Sequence, residues 1–281
     1  MTLLCRLLTV ANDHCLLSNK TGPVNNLTFV GDNAMHVIKS PDKRTSGQKA
    51  AAQGAQMIEK TIAAKGSANI ILATGASQFE MLEALTATDG IDWSVVTLFH
   101  LDEYIGLDDQ HPASFRKYLR ERFQAKVGPL KNAFYVETES GTPEEVCRTL
   151  NEQIQAHPID ICFAGIGENG HLAFNDPPAD FDTEAPYIVV DLDEDCRKQQ
   201  MGEGWFPTID DVPRQAISMG IRQICKSKTI ILTVPDDRKA QAVKGTLEGK
   251  VSNLVPASIL QTHDDTSIYL DAESASLLSG D

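Results

Sequence analysis

From Ile159 to Pro178 the chain reads Ile-Asp-Ile-Cys-Phe-Ala-Gly-Ile-Gly-Glu-Asn-Gly-His-Leu-Ala-Phe-Asn-Asp-Pro-Pro. A short apolar run breaks into glycines, then presents an imidazole (His171), two acids (Glu168 and Asp176) and two amides (Asn169 and Asn175). A neutral imidazole exchanges protons near pH 7, and a neighbouring carboxylate can orient its ring. The segment therefore has the make-up of an acid–base loop at the end of a buried strand. A lone histidine in such a place is more often a hydrogen-bonded structural residue, so His171 needs company. Gly165, Gly167 and Gly170 also satisfy the G-x-G-x-x-G dinucleotide pattern literally. That pattern requires a long helix to begin over the pyrophosphate. Pro177-Pro178 cannot lie inside a helix, because proline lacks the amide hydrogen and clashes with the preceding turn. A catalytic loop is the better reading.

Three other segments carry suitable groups. Thr74-Gly75-Ala76-Ser77 stands between an apolar run and an amphipathic stretch. Free amides at a helix start can hold an anion, with Thr74 and Ser77 adding hydroxyls. It is not a P-loop, and by itself it reads equally as a glycine turn with a Ser77 cap. Asp102-Glu103 follows another apolar run. Adjacent carboxylates removed from water raise each other's pKa and can supply a general base. The competing reading, no weaker on this segment, is a solvated turn in which Asp102 caps a helix. After a third apolar run, Asp236-Asp237-Arg238-Lys239 places Lys239 in the first turn of a helix, where the dipole disfavours a cation. That hints at phosphate binding, although an exposed lysine is the plainer alternative.

These segments need strands and helices to position them. Asn69–Ala73, Val95–Phe99, Phe134–Val136, Ile159–Ala164, Tyr187–Asp191, Thr229–Val234 and Ser267–Asp271 read as strands. Gln48–Ala64, Gln78–Leu85, Ser114–Gln124, Glu144–Ala156, Arg238–Leu247 and Pro256–Thr262 read as helices. Continuous apolar strands alternating with helices predict an α/β fold whose mostly parallel sheet is covered on both faces. No linker or shift in composition marks a boundary, so a single domain is expected over 26–281, after an N-terminal extension at 1–25. In such sheets the carboxyl ends of the strands share one rim, which would bring the four segments together.

Composition limits the partners. The chain has 281 residues, 42% hydrophobic, enough for a full core. Its formal charge of −14 disfavours nucleic acid and anionic membranes. No stretch approaches the roughly 20 apolar residues that span a bilayer. The apolar start is broken at Arg6 without a clean cleavage site, so a cytoplasmic protein is expected. Six cysteines in a chain of this length make no disulfide framework, and none stand at zinc-finger spacing.

Taken in order, Thr74-Gly-Ala-Ser77, Leu101-Asp-Glu-Tyr-Ile-Gly-Leu107 with His111-Pro-x-Ser114, the Gly165–Pro177 block and Arg238-Lys-Ala240 resemble the glucosamine-6-phosphate deaminase/isomerase family. The Phe174-Asn175-Asp176-Pro177 run separates the chain from the related 6-phosphogluconolactonases. The resemblance implies a modified Rossmann-like fold, a homo-oligomer, no metal or organic cofactor, and conversion of glucosamine 6-phosphate and water to fructose 6-phosphate and ammonia. It matches Asp102 to the base that moves a proton from C2 to C1, and His171 to the residue that assists ring opening. Thr74, Gly75, Ala76, Ser77 and Lys239 match phosphate-binding positions.

Three departures stand out. Asn169 occupies a position where better-known members have aspartate, with the acid carried one residue earlier by Glu168; both are kept as candidate catalytic residues. Asp176 replaces a glutamate as the partner of the histidine. The family's phosphate-binding arginine falls near Met201, which leaves Arg197 or Lys198 to substitute. Galactosamine-6-phosphate deaminase, lactonase and a non-catalytic sugar-phosphate sensor are the alternatives.

Overall fold

The computed structural model describes residues 28–30 and 35–280, so the extension expected at 1–25 lies outside the described residues. Along the chain come β1 (Thr28–Val30), β2 (Met35–Lys39), α1 (Lys43–Lys65), β3 (Ala68–Leu72), α2 (Phe79–Thr86), β4 (Val96–His100) and β5 (Asp102–Tyr104). Next are α3 (Phe115–Leu119), α4 (Ala125–Val127), β6 (Asn132–Phe134), α5 (Pro143–Gln155), β7 (Ile161–Ala164), β8 (Tyr187–Asp191) and α6 (Glu194–Gly202). The chain continues with β9 (Gln215–Met219), α7 (Ile221–Cys225), β10 (Thr229–Val234), α8 (Ala240–Glu248) and β11 (Thr266–Leu270).

Local chemistry explains the main helices. Asp42 caps the first turn of α1 by accepting from Thr45 N, and the alanine-rich body follows. Thr142 and Glu145 form a reciprocal capping box on α5, with Pro143 in its first turn.

The main sheet runs β1-β2-β11-β10-β7-β3-β4-β6, parallel throughout except for the β1–β2 pair. Its central strands are buried along their whole length, as expected of strands covered on both sides. Alternation sends Ile70, Leu72, Ile161, Phe163 and Ile231 against α1 and α2. It sends Ile71, Cys162, Ala164, Ile230 and Leu232 against α5, α7 and α8. Burying one such side chain contributes roughly 1.5–3 kcal/mol relative to leaving it exposed. From β3 the chain proceeds outward to β4 and β6, and from β7 it proceeds the opposite way to β10 and β11. Connections diverge between β3 and β7, and an open α/β sheet forms its ligand crevice at such a divergence.

Two expectations require correction. Tyr187–Asp191 is not a strand of the main sheet; it pairs antiparallel with β9 in a second sheet of order β5-β9-β8. The helix expected over Ser114–Gln124 is α only in α3, and passes into a π turn over Arg120–Gln124 before α4.

The small sheet matters because β5 carries Asp102 and Glu103. The Glu103 side chain is buried and accepts from Tyr104 N, Ser114 Oγ, Phe115 N, Arg116 N and Arg116 Nε. The N-cap of the following helix is therefore Ser114, which accepts from Lys117 N, with Glu103 and not Asp102 taking the amides of Phe115 and Arg116. Arg116, also buried, continues to Leu107 O and the Glu139 carboxylate. Removing one partner of a buried pair leaves an uncompensated charge and costs about 3–5 kcal/mol. Arg116→Met should destabilise the protein by about 3 kcal/mol or more in urea unfolding, and adding Glu103→Gln should return part of that loss.

Candidate active site

Four neighbouring strands, β10, β7, β3 and β4, end at one cleft of about 810 Å³ including its open mouth. Its walls include Thr74, Gly75, Ala76, Ser77, Asp102, Gly167, His171 and Lys239. The sheet thus brings together residues from four distant parts of the sequence.

The β3 exit forms one wall. Gly75 has φ +95°, a conformation that strains any residue with a β-carbon, and Ala76–Gln78 then turn as a short 3-10 segment into α2. Tyr118 Oη donates to Gly75 O. The buried Gln78 side chain ties the turn to its neighbours, donating to Ala164 O and Thr233 O and accepting from Thr233 Oγ1. Across the cleft, the β10 exit repeats the device. Asp236 adopts φ +90°, an uncommon conformation for a non-glycine residue, while its N–H donates to both Asp271 carboxylate oxygens. Asp237–Lys239 then turn into α8. Lys239 is buried in the cleft wall, and burial is the main influence lowering its pKa. Among the described residues no carboxylate lies within ion-pair distance of its ammonium group. A buried cation without a partner is costly, and an anionic ligand would compensate it.

Asp102 is 5% exposed and lines the same cleft. Among the described residues it has no hydrogen-bond donor, in contrast to the five on adjacent Glu103. Desolvation first, and the Glu103 charge second, push its pKa up to about 8.

His171 sits 3.0 Å (Nδ1) from Asp176 Oδ1. Burial acts to raise the Asp176 pKa, but the close contact with His171, aided by donors from Asp193 N and Asn169 Nδ2, outweighs it and holds the carboxyl below the ordinary range. Asp176, one methylene shorter than glutamate, therefore reaches the ring directly. The ring lies flat over Gly167, where any β-carbon would overlap it. The loop around it is pinned by Asn175, whose Nδ2 donates to Leu172 O and Met219 O, while Ala173 in the cleft wall takes φ +51°. No helix follows Gly170 before α6, which disposes of the dinucleotide pattern. Cys196 Sγ completes a trio with His171 and Asp176, their nearest polar atoms within 4.8 Å of one another. Burial pushes the Cys196 thiol far up.

The structure does not bring every expected residue to the cleft. Asn169 does not act on the imidazole. Its Nδ2 donates to Asp176 Oδ1 and its Oδ1 accepts from His171 N, so it braces the pair from behind. Glu168 turns to Arg238, 3.2 Å away, and its N–H donates to Gln199 Oε1. Arg197 faces away: its buried guanidinium donates to the carbonyls of Ile209 and Val212. Lys198 is spent on Glu194 and Asp195. No cation of α6 therefore replaces the missing arginine. Lys43, Arg238, Gln199 and Glu203 line the cleft and were not anticipated. The signal for Glu203 was an acid between two glycines, Gly202-Glu203-Gly204, too slight to read alone.

The buried carboxyl has a consequence for stability. Folded protein keeps the Asp102 proton until about pH 8, whereas the unfolded chain loses it near 3.8. Unfolding thus releases this proton over that interval, and the group makes the native state less stable as pH rises. Asp102→Asn should therefore stabilise the protein against urea, with a gain that grows from pH 5 to pH 8.

The profile of the family described as glucosamine-6-phosphate isomerases/6-phosphogluconolactonase matches residues 41–269. A glucosamine-6-phosphate deaminase of Streptococcus pneumoniae serotype 4 is 38% identical over 245 residues, covering 87% of this chain and 100% of that protein. A solved monomeric glucosamine-6-phosphate deaminase superposes with a TM-score of 0.78 at 33% identity, over 86% of this chain and 99% of the other. A 6-phosphogluconolactonase of Trypanosoma brucei shares the fold, with a TM-score of 0.71 at 16% identity over 88% of this chain and 100% of the other. The match over most of its length and the shared architecture show that the chain belongs to the glucosamine-6-phosphate isomerase/6-phosphogluconolactonase family.

Proposed function

We propose that the protein converts glucosamine 6-phosphate and water to fructose 6-phosphate and ammonia. The observation that carries this reading is the division of the cleft. Its anion-accepting part, Thr74–Ser77 and Lys239, is joined to a proton-transfer part, the donorless Asp102 and the His171–Asp176 pair. Fixing a phosphate at one end of a sugar leaves its first two carbons to be held against the other.

His171, oriented by Asp176, takes the proton from the anomeric hydroxyl and returns one to the ring oxygen, giving the open aldehyde. The Asp102 carboxylate removes the C2 proton, and the electron pair moves onto the aldehyde oxygen, which takes a proton from solvent, to make an enol whose C2 bears the amine. Asp102 returns the proton to C1 as the nitrogen lone pair closes to a C2=N bond, and loss of a proton from that nitrogen to solvent leaves an imine at C2. Water adds to that imine and ammonia departs. A desolvated carboxylate with no competing hydrogen bond is a stronger base than one in water, which suits abstraction of a proton from carbon.

Among the described residues no helix is long and apolar enough to cross a membrane. Free buried thiols at Cys147, Cys162 and Cys196 support a reducing, cytoplasmic setting.

Ammonia and fructose 6-phosphate should appear together when glucosamine 6-phosphate is added to purified protein. Asp102→Asn should lower kcat about 10²- to 10⁴-fold while sugar-phosphate binding survives. Because the base works only after losing its proton, kcat of the wild type at saturating substrate should climb with pH to about 8 and then level. Ammonia release at the wild-type rate by Asp102→Asn would remove Asp102 from this role.

A further inference from the structure

An acid stands in the part of the cleft that receives the anion. Glu203, at the end of α6, lines the same cavity as the Thr74–Ser77 turn and Lys239. Its position is fixed from two sides: Oε1 accepts from Gln199 Nε2 at 3.0 Å and Oε2 from Trp205 Nε1 at 3.3 Å. Gln199 is itself held by Glu168 N, and Trp205 lines a small hollow together with Gly75, Phe115 and Tyr118. The carboxylate is therefore built into the wall and does not swing freely from the surface. Its charge acts on Lys239 and Arg238 on one side and on Tyr118 and Tyr104 on the other. Lys43 and Asp236 complete the charged lining of the cavity, Glu168 stands behind Gln199 and Arg238, and Asp102 and His171 line the same cavity.

A phosphate monoester near pH 7 is mostly a dianion, with a second pKa of about 6. A dianion offers a carboxylate only repulsion, whereas a monoanion retains a P–OH that a carboxylate can accept. We propose that Glu203 is a specificity-determining residue that makes the cleft select the monoanionic form of the sugar phosphate, with the P–OH donating to the Glu203 carboxylate. This rests on the sugar-phosphate reading above and adds to it a proton taken up on binding. At a pH above the second pKa, the proton comes from solvent and ends shared between phosphate and Glu203. Binding is then linked to pH through the ligand rather than through the catalytic groups.

Calorimetric titration with 2-amino-2-deoxyglucitol 6-phosphate isolates this step, since that reduced sugar has no ring to open and is not turned over. Titrations in buffers of different ionisation enthalpy give the protons taken up. The wild type should bind at least about tenfold more weakly at pH 8 than at pH 6 and take up close to one proton per ligand at pH 8. Glu203→Gln should bind with an affinity that changes less than about threefold over that range and take up far less than one proton. Trp205→Phe removes a donor that holds the carboxylate but keeps the acid, so its proton uptake should stay near that of the wild type. Equal loss of uptake in both variants would reduce Glu203 to a structural role and overturn the proposal. Equal wild-type affinity at pH 6 and pH 8, with ammonia release intact, would overturn it while leaving the deaminase reading in place. Binding of unphosphorylated 2-amino-2-deoxyglucitol as tightly as its phosphate would overturn both.

Discussion

The site depends on one constraint: a carboxyl group almost wholly removed from water with, among the described residues, nothing donating to it. Asp102 occupies the short strand β5, where the adjacent Glu103 absorbs the available donors. Arg116 neutralises Glu103, so the strand tolerates two neighbouring acids while only one remains reactive. The second sheet, the start of α3 and the aromatic cluster of Tyr104, Phe115, Phe174 and Phe206 all serve to hold that arrangement. Its energetic cost is the stability the fold gives up as pH rises toward 8, and in the proposed reaction its return is a base matched to a carbon acid.

A second theme is repetition at the rim. Gly75 before α2 and Asp236 before α8 adopt related backbone conformations, each leading through a 3-10 turn into a helix. One exit contributes amides and hydroxyls, and the other contributes Lys239 and Arg238. The two face each other because β3 and β10 flank β7, whose own exit carries His171 between them. A parallel sheet with diverging connections is what makes this convergence automatic.

Much of this was legible in the sequence, for reasons that can be named. Apolar runs such as Thr229–Val234 mark strands buried on both faces, and the polar segments that follow them mark the rim. The decoy at Gly165–Gly170 was excluded by Pro177-Pro178, a purely local argument. Side-chain direction was not legible. Nothing in Glu168-Asn169 says that one side chain turns to Arg238 and the other braces Asp176, because a tight loop sends adjacent residues in different directions. Arg197 looked available for phosphate but is buried against Ile209 and Val212, where the chain folds back 12 and 15 residues later without a periodic signal to announce it. Strand β9 and helix α6 were also missed. Gln-Ala-Ile-Ser-Met alternates too briefly to read as a strand, and the charged face of α6 carries little apolar signal.

The central claim, that Asp102 carries a proton between adjacent carbons of an anchored sugar, is tested most directly by following an isotope. Glucosamine 6-phosphate bearing deuterium at C2 would be turned over in ordinary water and the fructose 6-phosphate product read by NMR. The account predicts that part of the deuterium reaches C1 with the wild type, the rest being lost to solvent. It also predicts that Asp102→Asn breaks no C2–deuterium bond although the sugar phosphate still binds. Transfer of the label at the wild-type rate by Asp102→Asn, or ammonia release by the wild type with the C2 label untouched, would contradict it.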